Sequence, residues 1–292
     1  MRLIESKAEY IPQEEGLEGI YKMIELAGRT AYHSLDKITP DSAKDFVDRM
    51  IKSKHGAALE HGTVYLYFSY KENEEVWIKY TRNPYSKVIP KYNHTEGNSH
   101  NEFYFFDRYV TTNYRVLVEN NWLDDLKYLC SPTEFHEKRY TMRLTCSRAI
   151  ANELVRHRTM SFLQESTRYI NYSKERHGGE ITFIKPSWCP DYDETDWDIF
   201  LHSLHSSEEC YFKMLNKGFQ PQQARDVLPN ATKTELIMTG FSSDWKHVMD
   251  LRLFGKTGAP HPDMIDLMQK AQKSMQEAGI WEDIMDKPSK FE

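Results

Sequence analysis

The sequence predicts an α+β fold: a single domain in which a mixed or antiparallel sheet packs against helices. Helical and strand-like apolar spacings both occur, but without the regular strand–helix alternation of a parallel sheet. No repeat, low-complexity tract or Gly/Ser linker marks a boundary. A chain of 292 residues buries roughly three quarters of its unfolded surface, so a core forms without disulfides or metal.

The elements follow in order. Arg2 to Ile4 opens as a strand, and Leu17, Ile20, Tyr21 and Ile24 then recur at helical spacing. A second helix has Thr39 as its cap, Pro40 at its first position, Phe46 and Met50 on its apolar stripe and Gly56 beyond its end. Val64, Leu66 and Phe68 alternate with polar-faced neighbours as a half-buried strand. Residues 71–136 mix aromatic stretches with turn formers and read as an insertion or peripheral subregion. A strand at Arg139–Thr145 leads into a helix from about Ser147 to His157, and Glu180–Ile184 is a further short strand. The acidic run DYDETDWD opens a helix through Leu204 and Phe212, negative charge lying at the favourable end of its dipole, and Gly218 stops it. Pro221 begins a short helix that Pro229 ends. Thr234–Thr239 reads as a strand, Ser243 as the cap of a helix through Arg252, and Pro262–Ala278 as a last amphipathic helix. Trp245, Met249, Met264, Met268 and Met275 sit at helical spacings that suit a core or a subunit interface.

Composition excludes several classes. Hydrophobic residues at 39% and aromatics at 13% are too many for a disordered chain, although mean hydropathy is −0.71. A net charge of −6 argues against a nucleic-acid coat or a membrane-surface binder. No apolar run approaches the roughly 20 residues that cross a bilayer, and the opening MRLIESKAEY lacks a signal-peptide core. Cys130, Cys146, Cys189 and Cys210 form no CxxC pair, which suits a reducing cytoplasm. The expectation is a soluble cytoplasmic protein.

The stretch from Glu153 to Tyr169, ELVRHRTMSFLQESTRY, carries the chemistry. Glu153, Arg156 and His157 are spaced to share one helix face, with Ile150 and Leu154 anchoring another. Arg156, His157, Arg158 and Arg168 with Ser161 and Ser166 have the makings of a phosphate site, because guanidinium forks and hydroxyls bind phosphate oxygens. Gln164 and Glu165 add donors and acceptors for a uracil-like ring. An isolated Arg-His-Arg would read as a basic helix end; hydroxyls and arginines spread over the whole stretch are harder to explain as solvated decoration.

This stretch resembles the signature of the flavin-dependent thymidylate synthases: Arg-His-Arg, seven residues, then Ser-x-Arg-Tyr, here Arg156-His157-Arg158 and Ser166-Thr167-Arg168-Tyr169. Lys54-His55-Gly56-Ala57-Ala58-Leu59-Glu60-His61 resembles the family's upstream histidine segment. Gln223-Ala224-Arg225-Asp226-Val227-Leu228-Pro229 and Leu251-Arg252 resemble its C-terminal half, and Gly28-Arg29-Thr30-Ala31-Tyr32 is a weaker echo. Most of 71–136 is unmatched. The resemblance implies a homotetramer with active sites between subunits, and FAD, dUMP, methylenetetrahydrofolate and NADPH as the molecules bound. By position it places Glu153, Arg156, Gln164, Ser166, Thr167, Arg168, Arg225 and Arg252 on the dUMP side, with Arg252 as the activating, catalytic arginine; Glu165 joins them from the reading above. It places His55, Ala57, Arg156, His157, Arg158, Thr159, Gln164, Phe241, Ser242, Ser243 and His247 on the FAD side. Phe241 and His247 stand where asparagine is common, and Leu163 where a polar residue often sits.

Other classes fit less well. His55, His61 and His157 have no zinc-ligand spacing, so no metal is expected. GxGxxG is absent. Cys189, in Ser-Trp-Cys-Pro-Asp, lacks the histidine that follows the nucleophile of the cysteine-dependent thymidylate synthases. The alternative is a non-enzymatic RNA- or nucleotide-binding protein that stacks bases on Tyr169 and Tyr172 beside the arginines of 156–172. Acidic charge and the lack of an RNP or KH pattern speak against it.

Overall fold

A computed structural model describes residues 1–98, 101–168, 170–174, 178–189 and 194–289. Its strands and helices, in chain order, are β1 (Arg2–Ile4), β2 (Lys7–Ile11), α1 (Gly16–Ala31), α2 (Ser42–Lys52), α3 (Gly56–Leu59), β3 (Thr63–Phe68), α4 (Glu74–Thr81), β4 (Lys87–Asn98), β5 (Asn101–Asn113) and α5 (Tyr114–Glu119). They continue with β6 (Arg139–Ser147), α6 (Arg148–Leu154), β7 (Ser161–Gln164), β8 (Thr182–Ile184), α7 (Glu194–Asn216), α8 (Pro221–Ala224), β9 (Lys233–Phe241), α9 (Ser242–Arg252), α10 (Pro262–Glu277) and α11 (Trp281–Met285).

The central sheet is antiparallel, in the order β2-β6-β9-β7. Strict alternation in β6 sends Tyr140, Met142, Leu144 and Cys146 to one face, where they join Leu236 and Met238 of β9. Helices α6, α9, α10 and α11 cover that face with Ile150, Leu154, Trp245, Met249, Met264, Met268 and Met275, all buried. The Trp245 indole N–H reaches the Tyr140 carbonyl at 2.9 Å, so this large side chain is buried with its polar atom satisfied. The methionines and Trp245 are thus core, as their spacing suggested.

A second antiparallel sheet, β3-β5-β4, packs with α1, α2 and α3 around Ile20, Ile24, Phe46, Val64, Leu66 and Tyr114. Helices α1 and α2 cross closely at Gly28, where an added Cβ would stand 2.3 Å from the Phe46 ring. A third cluster joins Ile170, Tyr172, Phe183 and Leu204 with Tyr211, beside the parallel pair β1–β8.

The α+β class is observed. Several local expectations change. Residues 71–136 are integral at their base, because β5 is the middle strand of its sheet and Tyr80, Val110, Tyr114 and Leu117 are core residues. Pro40 lies in a turn rather than in α2, since the Ser42 amide and hydroxyl first close back on Thr39. Gly56 opens α3 instead of following α2. Helix α6 stops at Leu154, and β2 and β7 are strands that short, mixed-polarity sequence did not announce. Of the acidic run opening α7, residues 191–193 lie outside the described residues, as does Tyr169. Gly218, at φ +91°, ends α7 as expected.

Candidate active site

Ser147 caps α6 by accepting the Ile150 amide at 3.3 Å. At the other end the chain leaves the helix through tight turns, Arg156 N–H to Glu153 carbonyl and His157 N–H to Leu154 carbonyl. Arg156 and His157 therefore do not extend a helical face shared with Glu153. The turn leaves Arg156, Arg158 and Thr159 exposed and buries His157.

His157 is buried against α9. Its ring stands edge-on to His247, with centroids 5.9 Å apart. Arg252, the last residue of α9, closes the group with its fork: Nε donates to His157 Nε2 at 3.1 Å, one terminal nitrogen to the Glu153 carboxylate at 3.0 Å and the other to the Glu153 carbonyl at 3.2 Å. A nitrogen that accepts carries no proton, so a neutral His157 holds its proton on Nδ1. Residues 95 positions apart in sequence meet here.

The second half of the motif is positioned by β7, which pairs with β9 from Ser161↔Thr239 to Gln164↔Leu236. Gln164 donates to Thr234 Oγ1 at 3.3 Å. Glu165 is buried. Its carboxylate accepts from the Glu235 amide and lies 2.8 Å from His33 and 3.0 Å from Lys233. Burial alone would raise this carboxyl; the His33 hydrogen bond and the Lys233 charge outweigh it and hold it below the usual range. Glu165 is turned into the sheet, and its acceptors are already engaged by the protein. The Ser166 amide then bonds the Ala31 carbonyl, and its hydroxyl accepts from the Arg168 amide at 3.3 Å. Thr167 is buried and accepts from Arg225 at 3.1 Å. Arg225 thus meets the loop of Ser166, Thr167 and exposed Arg168 at Thr167, although it follows α8, far along the chain.

The expected flavin-side residues fall into separate patches. His55 precedes α3, is exposed, and bonds the Tyr32 hydroxyl at 3.0 Å. With exposed Ala57, Arg115 and Leu163 it borders a cavity of about 420 Å³. Leu163 packs on the α1–α3 core, whereas its neighbour Phe162 packs on the core beneath α9. Phe241 is buried between two cations, with Lys87 4.6 Å and Arg139 5.6 Å from its ring centroid. Ser242 is buried and its Oγ has no hydrogen-bond partner; Ser243 accepts from Lys87 at 2.7 Å. The 11 residues of α9 set the 241–243 turn about 15 Å from Arg252.

The sequence did not single out Arg139 or His33, and it named His61 only as the end of the upstream histidine segment and as a rejected metal ligand. His61 is fully buried, with Nδ1 2.8 Å from Thr239 Oγ1, and burial with the nearby Arg139 charge draws its pKa down to about 3. Arg139 carries no sequence signal beyond its place at the head of a strand. Among the described residues no group of three or more acidic, histidine or cysteine side chains is arranged to hold a metal ion. A larger cavity, about 760 Å³, lies between β2, β6, β9 and α10, but it holds none of the expected site residues. Arg143 and Lys233 there both pair with Glu235, at 2.6 and 3.0 Å, which accounts for them as structural charges. Among the described residues no helix is long and apolar enough to cross a membrane.

Similar proteins match part of the chain. A probable flavin-dependent thymidylate synthase of Paramecium bursaria Chlorella virus 1 is 32% identical over 132 residues, 42% of this chain and 61% of that protein. The flavin-dependent thymidylate synthases of Corynebacterium glutamicum and Pyrococcus furiosus are 32% and 34% identical over 36% and 37% of this chain. The matches span only 46% and 43% of those two relatives. A crystal structure of the UMP/dUMP methylase PolB from Streptomyces cacaoi bound with 5-Br dUMP aligns with 97% of this chain and 96% of its own, at 14% identity and a TM-score of 0.45. Residues 66–278, well over half of the sequence, match the family model described as thymidylate synthase complementing protein, and the chain belongs to that family.

Proposed function

We propose that this chain is a flavin-dependent thymidylate synthase that methylates dUMP to dTMP, taking carbon from methylenetetrahydrofolate and reducing equivalents from NADPH through FAD. The observation that carries the reading is the contact of Arg225 with Thr167, which brings a guanidinium from far along the chain to a loop that also carries Ser166 and exposed Arg168, residue types suited to a nucleotide phosphate, in a chain of this family.

Each residue has a task. Arg168 and Arg225 hold the phosphate, and Ser166 and Thr167 shape the loop that presents them. Arg252, held by His157 and Glu153, stabilises negative charge on the uracil imide, which makes carbon 5 nucleophilic. Glu165 supports the loop through His33 and Lys233 rather than contacting the ring. The donor set also fits a large anionic cofactor: Arg156 and Arg158 are exposed, His55 borders a cavity of about 420 Å³, and Ser242 Oγ is unpartnered. Bound there and reduced by NADPH, FAD would supply the hydride that completes the methyl group. No cysteine nucleophile is needed. Burial pushes the Cys130 thiol up to about 11 and Cys146 to about 12, far from a reactive thiolate. Neighbouring subunits of a homotetramer complete each active site, and a reducing cytoplasm suits the four free cysteines.

The test is dUMP-dependent tritium release from carbon 5 by purified protein supplied with FAD, NADPH and methylenetetrahydrofolate. Bound flavin, absorbing near 450 nm, and release only with dUMP are expected. Flavin binding without release would reject the reaction; bound RNA in place of flavin would restore the RNA-binding reading.

A further inference from the structure

One side chain touches the three segments that carry the flavin-side residues other than His247. Arg139, the first residue of β6, is 8% exposed. One terminal nitrogen donates to the Glu60 carbonyl at 3.1 Å, at the end of segment 55–61, and to Thr63 Oγ1. The other donates to Ser161 Oγ at 3.1 Å, in segment 156–164. The guanidinium also lies 5.6 Å from the ring of Phe241, which opens the 241–243 turn. Nothing in the proposed chemistry uses it.

Its setting is costly. Among the described residues no carboxylate stands within ion-pair distance of Arg139, and its Nε has no hydrogen-bond partner. A buried cation with no carboxylate in direct contact is unfavourable even with the Glu60 and Asp244 charges nearby, and arginine cannot escape by losing its proton near neutral pH. Burial lowers its pKa only to about 10. A leucine or methionine would fill the volume without that penalty. What an apolar side chain lacks is a rigid fork of donors that bonds two separate segments at once. The surroundings reinforce the tie. His61, next to Glu60, bonds Thr239, which bonds Thr141 at 2.8 Å, so segment 55–61 is fastened to the sheet twice. Lys87 holds the Phe241 ring from a second direction, and Tyr65 accepts the Arg139 amide at 3.1 Å.

We propose that Arg139 is the positioning residue of the flavin-side half of the site, holding segments 55–61, 156–164 and 241–243 in one register. The nature of the ligand rests on the function proposed above; the tethering does not. Arg139 makes no contact with the Thr167–Arg225 cluster or with Arg252. Of the residues given to dUMP, only Arg156 and Gln164 lie in a segment that Arg139 holds, so its loss falls mainly on the flavin side.

The experiment compares full-length wild type, Arg139→Met and Arg139→Lys. FAD and dUMP dissociation constants come from fluorescence titration, and amide hydrogen exchange is followed without ligand. Arg139→Met raises the FAD constant at least tenfold and the dUMP constant less than threefold, with Arg139→Lys in between. Exchange rises together in 55–61, 159–164 and 239–243 and stays at the wild-type level in 166–168 and 225–228. Equal losses for both ligands, or faster exchange spread over the whole chain or confined to one segment, overturn the proposal. Should wild type bind no FAD, the flavin reading fails and the exchange pattern alone decides the role of Arg139. Should Arg139→Met not fold, Arg139→Lys carries both measurements.

Discussion

Replacing Arg252 by lysine keeps the charge and removes the fork. Three donor contacts run from Arg252 to His157 Nε2, the Glu153 carboxylate and the Glu153 carbonyl. A single ammonium satisfies about one of them. Two lost bonds at about 0.5–1.5 kcal/mol each suggest about 1–3 kcal/mol. The pair is partly solvated, with side chains 21% and 32% exposed, so screening puts the stability loss near the lower end, about 1 kcal/mol. In a chain of this size that lowers the melting midpoint by about 2–3 °C, leaving a folded protein. The catalytic effect is larger. A stem that places its charge off the plane of the uracil imide gives up transition-state stabilisation, and turnover falls at least tenfold, about 1.4 kcal/mol of barrier. Thermal melting, flavin absorbance and dTMP formation are measured on one preparation. If folded Arg252→Lys and Arg252→Ala both form dTMP at near wild-type rates, Arg252 leaves the active site and the role given to the C-terminal motif goes with it.

Three further outcomes are expected. Arg168→Ala weakens dUMP binding 30- to 150-fold, the equivalent of about 2–3 kcal/mol for a charge-assisted contact, while deoxyuridine binding barely changes; equal losses for the two ligands would show that Arg168 does not hold the phosphate. Serine at each of Cys130, Cys146, Cys189 and Cys210 in turn leaves turnover within an order of magnitude, and a folded, dUMP-binding but inactive variant would reinstate a thiol mechanism. His61, with its pKa drawn down to about 3, stays neutral when folded, whereas in the unfolded chain it takes up a proton below its ordinary value near 6.5. The unfolded state then binds more protons, so stability falls with acidification by up to about 1.4 kcal/mol per pH unit below 6.5. Urea unfolding at pH 7, 6 and 5 reads this slope, and His61→Gln flattens it; parallel slopes for the two proteins would contradict the assignment.

The sequence by itself determined what depends on near neighbours. Amphipathic spacing set α1, α9 and α10, alternation set β3, β6 and β9, and the run from Arg156 to Arg168 raised the expectation of a phosphate site. The spacing of Trp245 and the C-terminal methionines narrowed them to a core or a subunit interface, and the structure places them in the core. Short β7 has only four residues, and its identity as a strand comes from pairing with β9, more than seventy positions away. The end of α6 at Leu154 was equally hidden, since turn bonds at Arg156 and His157 compete with helical ones by small margins that α9 packing settles. Only the tertiary structure brought Arg225 to Thr167, turned Glu165 into the sheet toward Lys233, and placed a buried Arg139 among three segments that the sequence left unconnected. Periodicity is written in consecutive residues and survives in any window of the chain. Whether a charge is buried, and by what it is satisfied, is decided by residues brought together only when the sheets close over it.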